Sequence, residues 1–293
     1  MASAPLLDRG VLRLTGEDVR RFLNGLVTSE MEEVGEDRPR FAALLTPQGK
    51  ILCDFIVAAA DGEQGGGLYL DCPRVLAEDL ARRLGLYKLR AKVTIEDLSS
   101  TLAVAAWWDG ERAPDGLGVF YPDPRHPALG DRVILDRAAA EALAGDASDY
   151  HAHRIGLGVP EGGRDFAYGD AFPHEADMDQ FAGVDFDKGC YVGQEVVSRM
   201  QHRGTARTRV IPVTFADGVA PEAGTEATAD GRAVGRIGSS APGGRALALL
   251  RLDRVEDALA AGQALEAGGL AFRPGQADAL RFPIPGDAAK PVA

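Results

Sequence analysis

Apolar and polar residues alternate over residues 11–15 (VLRLT), the period of a strand with one buried face. Gly16, Glu17 and Asp18 then make an acidic first turn for a helix that the pattern carries to about Leu26, with Phe22, Leu23 and Leu26 as its buried stripe. Residues 41–45 and 50–60 read as strands joined by Thr46-Pro47-Gln48-Gly49, where Pro and Gly supply the turn. Strands are also predicted over 68–71, 88–95, 101–107 and 118–121, and an amphipathic helix over 75–84 that ends at Gly85. Helices over 138–144 and 149–157 follow, then a Gly-, Pro- and Asp-rich loop over 158–178, of a length that is often functional. Beyond residue 209, short apolar segments (210–215, 233–239, 245–251, 270–272) alternate with Gly, Pro and Asp clusters, which predicts a small all-β domain. Residues 283–293 hold three prolines and read as a loose tail. Mixed strands and helices followed by strands alone make an α+β pattern.

At 293 residues the chain is long for one domain, and its composition is that of a folded protein. The net charge of −12 disfavours nucleic acid and anionic membranes as partners. No stretch reaches the ~18 apolar residues that would span a bilayer, and the N-terminus does not read as a secretory signal. Three scattered cysteines, Cys53, Cys72 and Cys190, argue against a disulfide framework and for a reducing, cytoplasmic setting. They show no paired spacing, so no metal site is expected. Cys53 and Cys72 lie in or beside apolar strands and are expected to pack as small hydrophobes. Of Trp107 and Trp108, strand alternation puts one inside and one at the surface.

The segment with chemical character is 187–199, DKGCYVGQEVVSR. Its glycines allow a tight turn around Cys190. Lys188, and a helix starting near Gly193, would each raise the thiolate fraction of that thiol. Glu195 and Arg199 stand at an ion-pair spacing on such a helix. These residues also suit a buried, inert cysteine, and on their own they leave both readings open. Over 188–209, Lys188, Arg199, Arg203, Arg207 and Arg209, with His202, face one acid, Glu195. In an acidic chain this local reversal suits an anionic ligand or acidic partner, unless the arginines pair with acids elsewhere in the fold.

Lys188-Gly189-Cys190-Tyr191-Val192-Gly193-Gln194-Glu195 resembles the K-G-C-Y/F-x-G-Q-E signature of the YgfZ/GcvT family, and of its YgfZ-type folate-binding proteins in particular. Segments 16–28 (GEDVRRFLNGLVT), 45–55 (LTPQGKILCDF), 87–93 (YKLRAKV) and 173–175 (PHE) resemble other family motifs. The resemblance implies a three-lobed fold like that of the glycine-cleavage T-protein around a central channel, with a C-terminal β-barrel. It divides the chain into a discontinuous folate-binding domain (1–47 and 138–207), a ferredoxin-like α+β domain (48–137) and a barrel (208–293). It further implies tetrahydrofolate or a derivative as cofactor, and iron–sulfur client enzymes or cluster carriers as partners. By the same resemblance Cys190 and Lys188 are the reactive pair, and Tyr87, Arg90, Tyr191, Gly193, Gln194, Glu195 and Arg199 contact the cofactor. Two departures weigh against aminomethyl transfer, the alternative activity. Within the stretch 71–80 the helix offers an acid only as Glu78 or Asp79, and 154–158 (RIGLG) has glycine where T-proteins carry a glutamate. A third possibility is a scaffold that docks cluster carriers through the basic segment.

Overall fold

The computed structural model describes residues 2–60, 66–204 and 206–286, so the tail expected over 283–293 lies outside the described residues from position 287. The chain forms two compact units: Met1–Tyr150 with Phe181–Gln194, and His151–Gln180 with Glu195–Ala293. No described helix is long and apolar enough to cross a membrane.

The first unit runs through strands β1 (Ser3–Leu6) and β2 (Arg9–Thr15), helix α1 (Val19–Asn24), strands β3 (Arg40–Leu45), β4 (Ile51–Ala59) and β5 (Leu68–Pro73), and helix α2 (Ala77–Lys88). Strands β6 (Thr94–Asp97), β7 (Leu102–Trp107), β8 (Val119–Pro122) and β9 (Asp131–Asp136) and the short helix α3 (Arg137–Glu141) complete it. Two antiparallel sheets result, in orders β3-β4-β5-β2-β6 and β1-β7-β9-β8. Alternate residues of the larger sheet (Leu12, Leu14, Phe55, Val57, Leu68, Leu70) meet Val19 and Leu23 of α1 and Leu80 and Leu84 of α2 in one core. Each such side chain contributes about 1.5–3 kcal/mol on full burial.

Helix α2 does not stop at Gly85 but continues to Lys88, and the strand expected from residue 88 begins at Thr94. Gly85 has open space around it. Its cost, about 1 kcal/mol relative to Ala, is outweighed by the burial of Leu80 and Leu84. Trp107 and Trp108 are both buried, against expectation. Trp107 belongs to the core of the smaller sheet, whereas Trp108 lies past the strand end and meets the Tyr150 ring edge-on at 5.7 Å.

The two sheets of this unit are also joined by buried ions. The guanidinium of Arg9 donates to Asp71 on β5, and Arg132 on β9 donates to the other oxygen of the same carboxylate. Arg132 also donates to Asp123 (2.9 Å) and to the Tyr150 hydroxyl (2.8 Å). Arg125 closes on Asp123 through two nitrogens, at 2.9 and 2.7 Å. The Tyr121 hydroxyl donates to Asp71 at 3.0 Å. Burial opposes the charge on Asp71, yet Arg9 and Arg132 hold its carboxyl below the usual range. The same balance, set by Arg125 and Arg132, applies to Asp123.

In the second unit, after helices α4 (Ala147–Gly156) and α5 (Gln194–Arg203), which carry the unit boundaries, come β10 (Thr208–Phe215), β11 (Glu226–Ala229), β12 (Arg232–Ala241), β13 (Arg245–Arg251), α6 (Leu252–Ala260), β14 (Leu265–Ala267) and β15 (Leu270–Pro274). The six strands close into a barrel in the order β10-β13-β12-β11-β14-β15, which leaves no open edge. The α+β mixture and the terminal barrel are as expected; helix α6 was not. The guanidinium of Arg154, fully buried, donates to Asp165 (2.7 Å) and to the Ser239 hydroxyl (2.9 Å), tying the long loop to β12.

Candidate functional site

Three segments far apart in sequence meet around the cysteine loop in the first unit. Lys188 reaches inward, and its ammonium donates to the carbonyls of Asn24 (2.9 Å), Val27 (2.8 Å) and Ser29 (2.7 Å). All three of its donors are thus used on the turn that follows α1. Thr28 is wholly buried beside it. Its hydroxyl donates to Gly183 O (2.6 Å) and accepts from Ala43 N (2.9 Å), while Asp185 N donates to Thr28 O (2.9 Å). The β3–β4 turn supplies the third segment. Gly193 has φ +81°, and a Cβ there would sit 2.5 Å from Thr46 O and 3.1 Å from Gly49 Cα. Backbone conformation and close approach both demand glycine at 193.

Cys190, between these two anchors, is exposed, and Cys53 and Cys72 are buried. Burial pushes the Cys53 thiol well above its ordinary value and Cys72 up to about 12, so both are poor nucleophiles. The three sulfurs therefore do not share one environment. A native-state titration with an aromatic disulfide should show one fast thiol and release three after denaturation. A fast count of two would contradict this placement.

The sequence-predicted residues distribute as follows. Lys188 and Tyr191 are brought together, the ammonium 5.3 Å from the ring centre. Burial lowers the Lys188 ammonium to about 8, with Glu30 and Asp185 opposing. Burial, then Asp185, raises the Tyr191 phenol to about 12. Gly193 and Gln194 complete the first unit, and Glu195 and Arg199 fall in the second. There they pair with each other on the exposed face of α5. Tyr87 and Arg90 stand at the exposed end of α2.

The continuous basic patch expected over 188–209 is broken up. Lys188 is buried on carbonyls. Arg209 is buried too, and donates to Asp179 (2.6 Å), Asp177 (3.3 Å) and the His174 carbonyl (2.8 Å), with the Phe282 ring 4.5 Å from its guanidinium carbon. Arg199 is neutralised by Glu195, and Arg207 lies 3.9 Å from Asp253. Of the four arginines only Arg209 pairs in the interior; Arg199 and Arg207 meet acids at the surface, and Arg203 is exposed. Arg209 thereby holds the 173–179 segment. Within it Asp177 is fully buried, and burial drives its carboxyl well above the usual range. Sequence reasoning missed Thr28 and the carbonyls of residues 24, 27 and 29. A backbone acceptor has no side-chain signature, and only the buried lysine reveals them.

Residues 207–282 match the family model described as CAF17, C-terminal beta-barrel domain. The fold is that of the aminomethyltransferase T of the glycine cleavage system from Bartonella henselae: the TM-score is 0.74 over 95% of this chain and 86% of that one, at 15% identity. Closer in sequence are proteins named iron-sulfur cluster assembly factor IBA57. The Mycosarcoma maydis homologue is 35% identical over 71% of this chain, but the chain spans only 55% of that protein's length. The Mus musculus protein is 34% identical over 86% of the chain and 78% of its own length. These relatives are named as mitochondrial, which overturns the expectation of a cytoplasmic protein. The Homo sapiens protein is 35% identical over 86% of this chain and 78% of its own length, and with that match the chain belongs to the IBA57 family of iron–sulfur cluster assembly factors.

Proposed function

We propose that this protein is an accessory factor for assembling or repairing iron–sulfur clusters in client enzymes, and that Cys190 is its working thiol. One observation carries the reading: of three cysteines, the one exposed sits on a loop latched at both sides, by Lys188 and by Gly193, while the other two are buried in the sheet core. A thiolate is a soft ligand and a nucleophile, and a pre-positioned one loses little freedom on meeting a cluster or a partner thiol. The test is complementation. Cys190→Ser should fail to restore cluster-enzyme activity in a strain lacking the gene, with an unchanged melting midpoint. Full restoration would remove the thiol from the mechanism.

The finer, YgfZ-type reading adds tetrahydrofolate. Arg90 supports it: its guanidinium is exposed and has no carboxylate partner among the described residues, so it suits the glutamate carboxylates of a folate. Thermal shift with tetrahydrofolate tests this, because a ligand bound only to the native state raises the midpoint by mass action. No shift at saturating ligand would leave the cluster reading without its folate. Aminomethyl transfer is the weaker alternative, since Asp79, one of its two candidate acids, is occupied by Arg82 and Arg83.

A further inference from the structure

Four of the seven exposed large hydrophobic side chains among the described residues lie on or beside α2: Val75 (90% exposed), Leu86 (69%), Tyr87 (41%) and Leu89 (89%). The helix already buries Ala77, Leu80 and Leu84 in the core. Leu86 and the residues after it therefore form a second apolar surface that this unit does not cover.

The backbone at this corner is unusual. Ala91 N donates to Lys88 O at 2.8 Å, closing a four-residue turn over 88–91. Its first central residue, Leu89, has φ 42° and ψ −103°. That is close to the first position of a type II′ turn, where glycine is the usual occupant. A leucine there is strained, and its exposed side chain recovers nothing by burial. Neither folding nor solubility accounts for leucine at 89. Strain held at a surface residue points to use of that residue.

Charge narrows what would use it. Around the turn, Arg82 and Arg83 are held by Asp79, and Lys92 by Glu17. Lys88 and Arg90, on either side of Leu89, have no acidic partner among the described residues. Two uncommitted cations flanking an apolar tip, on a chain of net charge −12, complement an apolar pocket rimmed by carboxylates. An anionic bilayer is a poorer match, since lipid-binding segments carry clusters of about 4–8 Lys or Arg.

We propose that the corner formed by Leu86, Tyr87 and Leu89, with Lys88 and Arg90, is the docking surface for an acidic partner protein that receives the leucine tip in an apolar pocket. This goes beyond the cluster-assembly reading and stands without it, because the surface itself defines the partner. Tyr87 and Arg90 are shared with the folate reading, so the leucines carry the test.

A photoreactive benzoylphenylalanine is placed at position 89 of the full chain, and at Val219, another exposed apolar position, as control. The chain is expressed in its own host. A partner captured at 89 and not at 219 is identified, purified and titrated against the unmodified protein. Leu86→Asp, Leu89→Asp and Arg90→Glu should each weaken its affinity by about tenfold or more, and salt should weaken it further. All three side chains are exposed, so the melting midpoints should hold. Leu89→Gly should raise the midpoint by relieving the turn, yet weaken docking. The proposal is overturned by any of four results: no adduct specific to 89, an adduct with a second copy of this chain, sedimentation with phosphatidylserine vesicles that the Asp variants abolish, or a partner affinity indifferent to all four substitutions. Were the leucine variants to lose stabilisation by tetrahydrofolate while partner affinity stayed intact, the corner would belong to the ligand site and docking would fall while the cluster reading stood.

Discussion

Asp71→Asn should destabilise the protein by about 3–5 kcal/mol, the usual cost of stranding buried charge by removing one partner. Asp71 is 1% exposed, and its carboxylate meets both Arg9 and Arg132. Asparagine keeps the shape and removes the charge, leaving two guanidiniums in the interior opposite a neutral amide. Arg132→Met takes one of two cations from both Asp71 and Asp123, which keep Arg9 and Arg125, so it should cost less than Asp71→Asn. The double variant should lose less than the sum, because the two residues share one network. Urea unfolding measures all three, and a loss under about 1 kcal/mol for Asp71→Asn would place the network in the weak class of exposed pairs. The acid limb gives a second reading. Asp71 and Asp123 both have folded-state pKa values below those of the unfolded chain. Their contribution is therefore present above about pH 3.9, the unfolded value, and is lost as pH falls through the folded values. Asp71→Asn should flatten that limb.

Lys188→Met should unlatch the cysteine loop. Its ammonium is the shared donor to three carbonyls of the turn after α1. Each buried acceptor left without a donor costs about 1–3 kcal/mol, and partial rehydration makes the three less than additive, so roughly 3 kcal/mol is expected. Arginine should not rescue, because a planar fork cannot cap three converging carbonyls as a tetrahedral ammonium does. Hydrogen exchange should show lost protection at Thr28 and Asp185, whose amides are bonded on either side of the latch. A different result would restore the electrostatic reading of Lys188: slower alkylation of Cys190 with unchanged unfolding free energy and exchange.

Much of the fold was legible because the pattern was local. Strands over 41–45 and 245–251 are bounded in the sequence within a residue of where they lie in the structure. The barrel could be anticipated from turn residues at short intervals. Helix α6 was missed although Leu252, Val255 and Leu259 stand at helical spacing, because it follows β13 directly, with no Gly or Pro to mark the end of the strand. The alternation over 88–95 misled for a physical reason: Val93 packs in the core, but Leu89, the apolar residue that made the pattern look regular, points to solvent.

The sequence alone determined the cysteine motif, the glycine at 193 and the two apolar thiols, because each follows from residue type and its immediate neighbours. It also determined that an acidic chain carries a basic stretch over 188–209. Tertiary structure decided what that stretch is for. Whether a cation faces solvent or is consumed depends on acceptors brought from elsewhere, here the carbonyls near residue 28 for Lys188 and the carboxylates of 177 and 179 for Arg209. Charge along a chain is additive, but charge at a surface is what remains after long-range pairing, and that pairing exists only once the chain has folded.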